Sequence, residues 1–204
     1  MAQTHIVIFV PGLGDEVNSS QVRRLIWATN RWKKHGVEPV VYLIDWYSNQ
    51  REFKPKLKKL LREIDKYSKK GYKVSLVGCS AGGSAVLNAF IERRESICKV
   101  IDVCGRLRKG IQKGFRSFES RTYKSQAFAE AVEGFENREY LLSSEDRKRI
   151  MTIRPLLGDE LVPASTNILN GANNITVPLF EHGISIFASL TVFSKNIIKF
   201  IESE

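Results

Sequence analysis

Lys73-Val74-Ser75-Leu76-Val77-Gly78-Cys79-Ser80-Ala81-Gly82-Gly83 decides the fold of this chain. The apolar run over 74–77 reads as a buried strand that stops at Gly78. From Ala81 onward the sequence is rich in Ala and Leu and reads as a helix. Gly78-x-Ser80-x-Gly82 therefore falls on a strand-to-helix turn. A turn that tight strains the serine backbone and leaves no room for a Cβ two positions to either side. It also raises the serine hydroxyl at the carboxyl end of a sheet, over a helix N-terminus. A plain glycine-rich turn would use the same residues, but the strand before and the helix after favour a nucleophilic serine.

Outward from this turn the chain alternates. Residues 5–10 are rich in β-branched side chains and read as a central strand covered on both faces. Pro11-Gly12-Leu13-Gly14-Asp15 is a loop. Ser19 or Ser20 caps a helix running to about His35, which Gly36 ends. A second strand is expected over 39–44. A helix with Pro55 in its first turn runs to about Lys70, where Gly71 stops it. The serine's strand is the third, its helix reaches about Arg94, and 99–103 is the fourth strand. Strand and helix in such regular alternation imply right-handed crossovers and a mainly parallel sheet covered on both faces.

The rhythm breaks from 105 to about 149, a basic, polar stretch with one clear amphipathic helix, 126–135, capped by Ser125. Such an excursion is too long for an ordinary loop and reads as a small helical cap, 106–148, inserted into a single domain of 1–204. Alternation resumes with a fifth strand over 150–156, a short helix over 163–169, a sixth strand over 176–180 and a last helix over about 185–201.

Composition narrows the function classes. The chain has 204 residues, 43% hydrophobic and 26% charged, with a net charge of +10. It is long enough for one sizeable core. Residues 1–10 carry no basic leader, and no segment reaches membrane-spanning length without charge, so a cytoplasmic location is expected. Cys79, Cys98 and Cys104 have neither disulfide-scaffold nor metal-ligand spacing. The basic clusters lack aromatic interleaving and any nucleic-acid motif, so no nucleic-acid partner is expected. Leu57, Leu60, Leu61 and Ile64 keep helical spacing, which makes the lysines around them a solvated helix face.

Reactive groups of a doubly wound sheet gather at the carboxyl ends of its strands. There the third strand offers Ser80, the fifth Asp159 and the sixth His182. A serine hydroxyl needs an imidazole to take its proton, and the imidazole needs a carboxylate to fix its tautomer. Of the three histidines, His5 opens a strand at the opposite sheet edge and His35 ends a helix, which leaves His182 as base. For the acid, Asp159 is favoured; Asp102, Glu160 and Asp45 are its rivals. Backbone N–H groups of Leu13 and Ala81 are the natural oxyanion donors, with Gly12 and Gly14 letting the first loop approach the serine.

Four segments together carry a family resemblance: Val10-Pro11-Gly12-Leu13-Gly14, Gly78-Cys79-Ser80-Ala81-Gly82, Gly158-Asp159-Glu160-Leu161-Val162-Pro163 and Glu181-His182-Gly183. The chain resembles an α/β-hydrolase over nearly its whole length. The resemblance implies Ser80 as nucleophile, His182 as base, Asp159 as acid, no cofactor, no metal, and a cap that shapes the substrate pocket. Two leading antiparallel strands of the family are missing, so a minimal, six-stranded version is expected. Pro11 stands where the family often has histidine, which matters little for backbone donors. A serine nucleophile speaks against the branches that use aspartate.

The expected activity is hydrolysis of a carboxylic ester or thioester of a small molecule through an acyl-enzyme. A peptidase or amidase with the same triad, and a silent binding protein on the same scaffold, are the alternatives. Gly12, Cys79 and Arg106 are the expected substrate-contacting positions. Arg106, Arg108 and Lys109 would then favour an anionic substrate. Phe115, Phe118, Tyr123, Phe128, Phe135 and Tyr140 either line an acyl pocket or form the core of the cap.

Overall fold

The computed structural model describes residues 4–48 and 50–203. Residues 1–3 of the stretch read above as leaderless lie outside the described residues. Six strands form one sheet: β1 (His5–Val10), β2 (Val37–Val41), β3 (Lys73–Cys79), β4 (Val100–Val103), β5 (Ile150–Pro155) and β6 (Asn173–Val177). Their order is β2-β1-β3-β4-β5-β6, and every neighbouring pair is parallel. The expected mainly parallel sheet is parallel throughout.

The central strands are largely apolar on both faces, as a doubly covered sheet requires. Along β1, Ile6, Ile8 and Val10 face one core, while Val7 and Phe9 face the other. The first core is closed by α2 (Phe53–Ser68), α3 (Ala81–Arg93) and α5 (Gln126–Glu136). The second is closed by α1 (Ser20–Asn30), α7 (His182–Leu190) and α8 (Ser194–Glu202). Trp32, which follows α1, packs edge-on against Phe9 at 5.0 Å and donates its indole N–H to Leu190 O at 2.9 Å. That bond ties the segment after α1 to the end of α7.

Two short helices, α4 (Phe118–Thr122) and α6 (Ser144–Lys148), complete the excursion between β4 and β5. Its apolar residues Phe118, Phe128, Ala131, Val132 and Phe135 are buried in the same core as α2 and α3. Asn88 of α3 donates to Ala131 O at 2.7 Å and so pins α5 into the helical layer. Phe128 meets Trp46 edge-on. Phe115, Tyr123 and Tyr140 are exposed. The aromatic residues of 106–148 thus neither line the serine's pocket nor form a separate core.

Several boundaries differ from the sequence expectation. The first helix is α-helical only to Asn30 and tightens into a 3₁₀ turn, Arg31–His35, before Gly36 at φ +75°. That turn leads straight into β2, which starts at Val37 rather than 39. It is an edge strand, where Pro39 leaves no ladder bond unmade. β6 occupies Asn173–Val177 rather than 176–180, because Pro178 cannot continue the pairing. The expected helix over 163–169 is a single 3₁₀ turn, Ala164–Thr166. The last helix is broken into α7 and α8. No single described helix is long and apolar enough to cross a membrane.

The topology fixes where a site can form. After β1 the chain adds β2 on one side and β3 on the other, so the sheet reverses its winding between β1 and β3. Val10 lies opposite Gly78, so the loops that leave β1 and β3 emerge side by side. A crevice at such a switch point is the usual ligand site of an open α/β sheet.

Candidate active site

Ser80 occupies the junction of β3 and α3 at φ +54°, ψ −121°, a backbone state that non-glycine residues rarely adopt. Its neighbours show why they are glycine. A Cβ on Gly78 would lie 2.4 Å from Gly82 O, and one on Gly82 would lie 2.0 Å from Val10 O. The first loop comes equally close: a Cβ on Gly12 would sit 2.7 Å from Ser80 Cβ and 3.2 Å from Ser80 Oγ.

The two partners expected from the sequence meet this serine. His182 Nε2 lies 2.9 Å from Ser80 Oγ, and His182 Nδ1 lies 2.8 Å from Asp159 Oδ2. His182 and Asp159 are buried. The other Asp159 oxygen accepts Leu161 N–H and Val162 N–H, each at 2.8 Å. Burial pushes this carboxyl upward, but the His182 bond and charge, with the two N–H donors, hold it below the ordinary aspartate value. An anionic Asp159 on Nδ1 leaves Nε2 as the acceptor facing Ser80.

No family model and no curated protein matches the sequence. Solved structures do match in shape. Est1E from Butyrivibrio proteoclasticus superposes with a TM-score of 0.66 at 13% identity, over 98% of this chain and 87% of that one. The monoacylglycerol lipase of Paleococcus ferrophilus gives 0.59 at 15% identity, over 96% and 93%. MGS-MChE2, an α/β-hydrolase enzyme from the metagenome of sediments of the Mar Chica lagoon, Morocco, gives 0.61 at 15%, over 98% and 91%. The chain has the α/β-hydrolase fold.

The rivals of Asp159 are engaged elsewhere. Asp102, on β4, is fully buried and accepts Asn167 Nδ2–H at 2.6 Å, away from the histidine. Burial raises its carboxyl well above the usual value, against the opposing Gly105 N–H and Asn167 bonds. Glu160 accepts the backbone N–H of His182 at 3.0 Å, so it holds the histidine loop rather than the ring. Asp45 sits at φ +62° beyond β2, and its N–H donates to Asp15.

Ala81 is the first residue of α3, where backbone N–H groups have no helical acceptor. Leu13 lies in the loop that approaches Ser80. Neither N–H meets a protein acceptor among the described residues. Three residues not singled out from the sequence hold that loop. Asp15 is buried and accepts Asp45 N–H at 2.6 Å and Trp46 N–H at 3.1 Å. The Trp46 indole donates to Pro11 O at 3.2 Å. Lys56, buried in turn, donates to Asp45 O and Ser48 Oγ. The readable signal was a charged residue following the glycine loop, but its partners come from a turn thirty positions on.

Arg106 is a correction. Its guanidinium is buried and donates to the carbonyls of Arg108, Lys109, Arg116 and Ser117. Burial draws it down to about 10. It organises the loop after β4 and does not line the serine's pocket. Arg108 pairs with Glu139 at 2.5 Å and Lys109 with Glu133 at 2.7 Å, so neither is available in the arrangement expected. The pocket itself has a volume of about 1210 Å³ and opens on Cys79, Ser80 and His182 between α1 and α7. Among the described residues no cluster of three or more His, Cys, Asp or Glu is arranged to hold a metal ion.

Proposed function

We propose that the protein is a serine hydrolase that cleaves carboxylic ester or thioester bonds of small molecules. The observation that carries this reading is the unbroken chain Asp159 Oδ2, His182 Nδ1, His182 Nε2, Ser80 Oγ, with links of 2.8 and 2.9 Å. Ser80 Oγ attacks the carbonyl carbon while His182 Nε2 takes its proton, and Asp159 stabilises the imidazolium. The developing oxyanion is received by the N–H groups of Leu13 and Ala81. The tetrahedral intermediate expels the alcohol or thiol, which takes the proton from His182. Water then repeats the sequence on the acyl-enzyme and restores Ser80.

The lipase named among the structural relatives supports ester chemistry at the level of fold. The excursion 106–148 contributes to the pocket through Arg121, and Gly12 and Cys79 lie against the reacting serine. A reducing, cytoplasmic setting suits three unpaired cysteines. The test is a fluorophosphonate label with peptide mapping, together with hydrolysis of p-nitrophenyl butyrate. The label is expected on Ser80, and Ser80→Ala loses label and turnover together. Esterase activity persisting in Ser80→Ala would overturn the reading.

A further inference from the structure

The pocket is amphiphilic in a particular way. Its floor is apolar, built from Leu25 and Ala28 of α1 and Ile186 and Leu190 of α7. At its lip Trp27 and Phe187 stack with ring centroids 5.9 Å apart, both partly exposed. Arg23, Arg24 and Arg121 line the same cavity. No carboxylate lies within ion-pair reach of these three guanidinium groups among the described residues. Arg121 lies over the Phe115 ring instead, at 4.9 Å.

Arg31, Arg51, Arg62, Arg116 and Arg154 likewise show no ion pair among the described residues, but it is Arg23, Arg24 and Arg121 that line this cavity. Arg93, Arg94, Arg108, Arg138 and Arg147 each meet a carboxylate. The sequence of α1, Ser-Gln-Val-Arg-Arg-Leu-Ile-Trp-Ala-Thr-Asn, holds no acid that could pair Arg23 or Arg24 along the helix. Among the described residues the cavity has a single carboxylate in its lining, Glu181. Both Glu181 oxygens are taken by the N–H groups of Gly183 and Ile184, at 3.0 and 2.6 Å. The cavity therefore presents three cations against one committed anion, next to an apolar floor and the reactive serine.

We propose that the substrate is an anionic amphiphile: an ester or thioester with a medium-length apolar chain on the α1–α7 floor and a carboxylate or phosphate met by Arg23, Arg24 and Arg121. This rests on Ser80 as the nucleophile. Such a substrate matches the cavity in both charge and shape. Arginine binds planar oxyanions through paired N–H donors, and an apolar chain leaves water for the floor. The basic residues after β4 that the sequence favoured for this role are engaged elsewhere, and the role passes to α1 and α4.

Two matched pairs of substrates test it. The first is p-nitrophenyl octanoate against the mono-p-nitrophenyl ester of octanedioic acid, which puts the anion on the acyl limb. The second is monooctanoylglycerol against its phosphate monoester, which puts it on the alcohol limb. At least one pair is expected to favour the anionic member by about tenfold in kcat/KM, mostly through KM. In Arg23→Gln/Arg24→Gln and in Arg121→Gln the anionic-to-neutral ratio falls by a similar factor, and in wild type raised salt lowers it.

A neutral preference in both pairs, or a ratio unmoved by the arginine changes, overturns the proposal. The Ser80 reading is scored separately, by the fluorophosphonate label and by turnover of the neutral esters. Should turnover fail, octyl phosphate binding followed by Trp fluorescence still reads the groove. It should weaken about tenfold in the double variant. Adsorption to anionic vesicles without binding of monomeric octyl phosphate would overturn the groove in favour of a lipid surface.

Discussion

Glu160 Oε2 accepts the backbone N–H of His182 at 3.0 Å, while the side chain one residue earlier, Asp159, holds the His182 ring at 2.8 Å. One turn after β5 thus grips both the main chain and the side chain of the histidine. The histidine follows Glu181 at φ +72°, a strained position that needs an external hold. Glu160→Ala is expected to lower kcat about tenfold, the equivalent of one lost hydrogen bond, with KM nearly unchanged. Glu160→Gln keeps an acceptor oxygen and should recover most of the rate. Equal losses in both variants would show that Glu160 acts by its charge rather than by holding the loop.

The glycines around Ser80 separate chemistry from stability. An alanine Cβ at Gly12 meets the Ser80 side chain itself, at 2.7 Å, whereas one at Gly82 meets Val10 O at 2.0 Å. Side-chain crowding displaces the nucleophile, and a displacement of about 1 Å costs on the order of a hundredfold in rate. Backbone crowding displaces the sheet. Gly12→Ala should therefore lose about two orders of magnitude in kcat/KM, with a smaller loss of stability than Gly82→Ala, because Cys79 O at 3.1 Å is crowded as well. Gly82→Ala should lose about 3 kcal/mol in urea denaturation. A Gly12→Ala enzyme with normal turnover would remove this loop from the reaction.

The fold and the meeting of Ser80, Asp159 and His182 were legible because they depend on local patterns repeated at strand ends. Each of Ser80, Asp159 and His182 comes shortly after an apolar run and has a glycine within two residues. Other features depend on pairs far apart in the chain. Asp15 finds its donors at Asp45 and Trp46, and Asn88 finds its acceptor at Ala131. Phe128 and Phe135 read as amphipathic, but nothing local tells whether their partner is a cap or the main core; Trp46 and α3 decide it. Arg106 reads as a free cation at a strand end, because four main-chain carbonyls that surround it leave no trace in composition.

Cys79 adjoins Ser80, yet its thiol is buried, and burial with the nearby Asp102 charge pushes it up to about 12. Cys104 is likewise buried and raised well above the thiol range. Thiolates are the reactive form, so both should resist alkylation at about pH 8 in the native protein. Cys98, which is half-buried, is the position expected to react. Iodoacetamide followed by mass spectrometry should find at most one adduct before denaturation and three after it. A native adduct on Cys79 would show that its thiol is accessible and reactive after all.

Asp159 and Asp102 are predicted to bend the stability curve in opposite directions. The native Asp159 carboxyl lies below its ordinary value, so its contribution is complete above the unfolded value of about 3.9 and is lost as pH falls through the native one. The native Asp102 carboxyl lies well above that value, chiefly through burial. Above about pH 4 the unfolded chain releases this proton while the native protein retains it, so stability falls with rising pH until the native group ionises. Urea denaturation of wild type, Asp159→Asn and Asp102→Asn across acid to neutral pH separates the two. The advantage of wild type over Asp159→Asn should shrink on acidification below about pH 4, and Asp102→Asn should gain on wild type as pH rises above it. In turnover the order is set by contact with His182: Asp159→Asn should lose about four orders of magnitude in kcat, and Asp102→Asn far less. Comparable losses of kcat in the two variants would return Asp102 to the position of acid and break the assignment of Asp159.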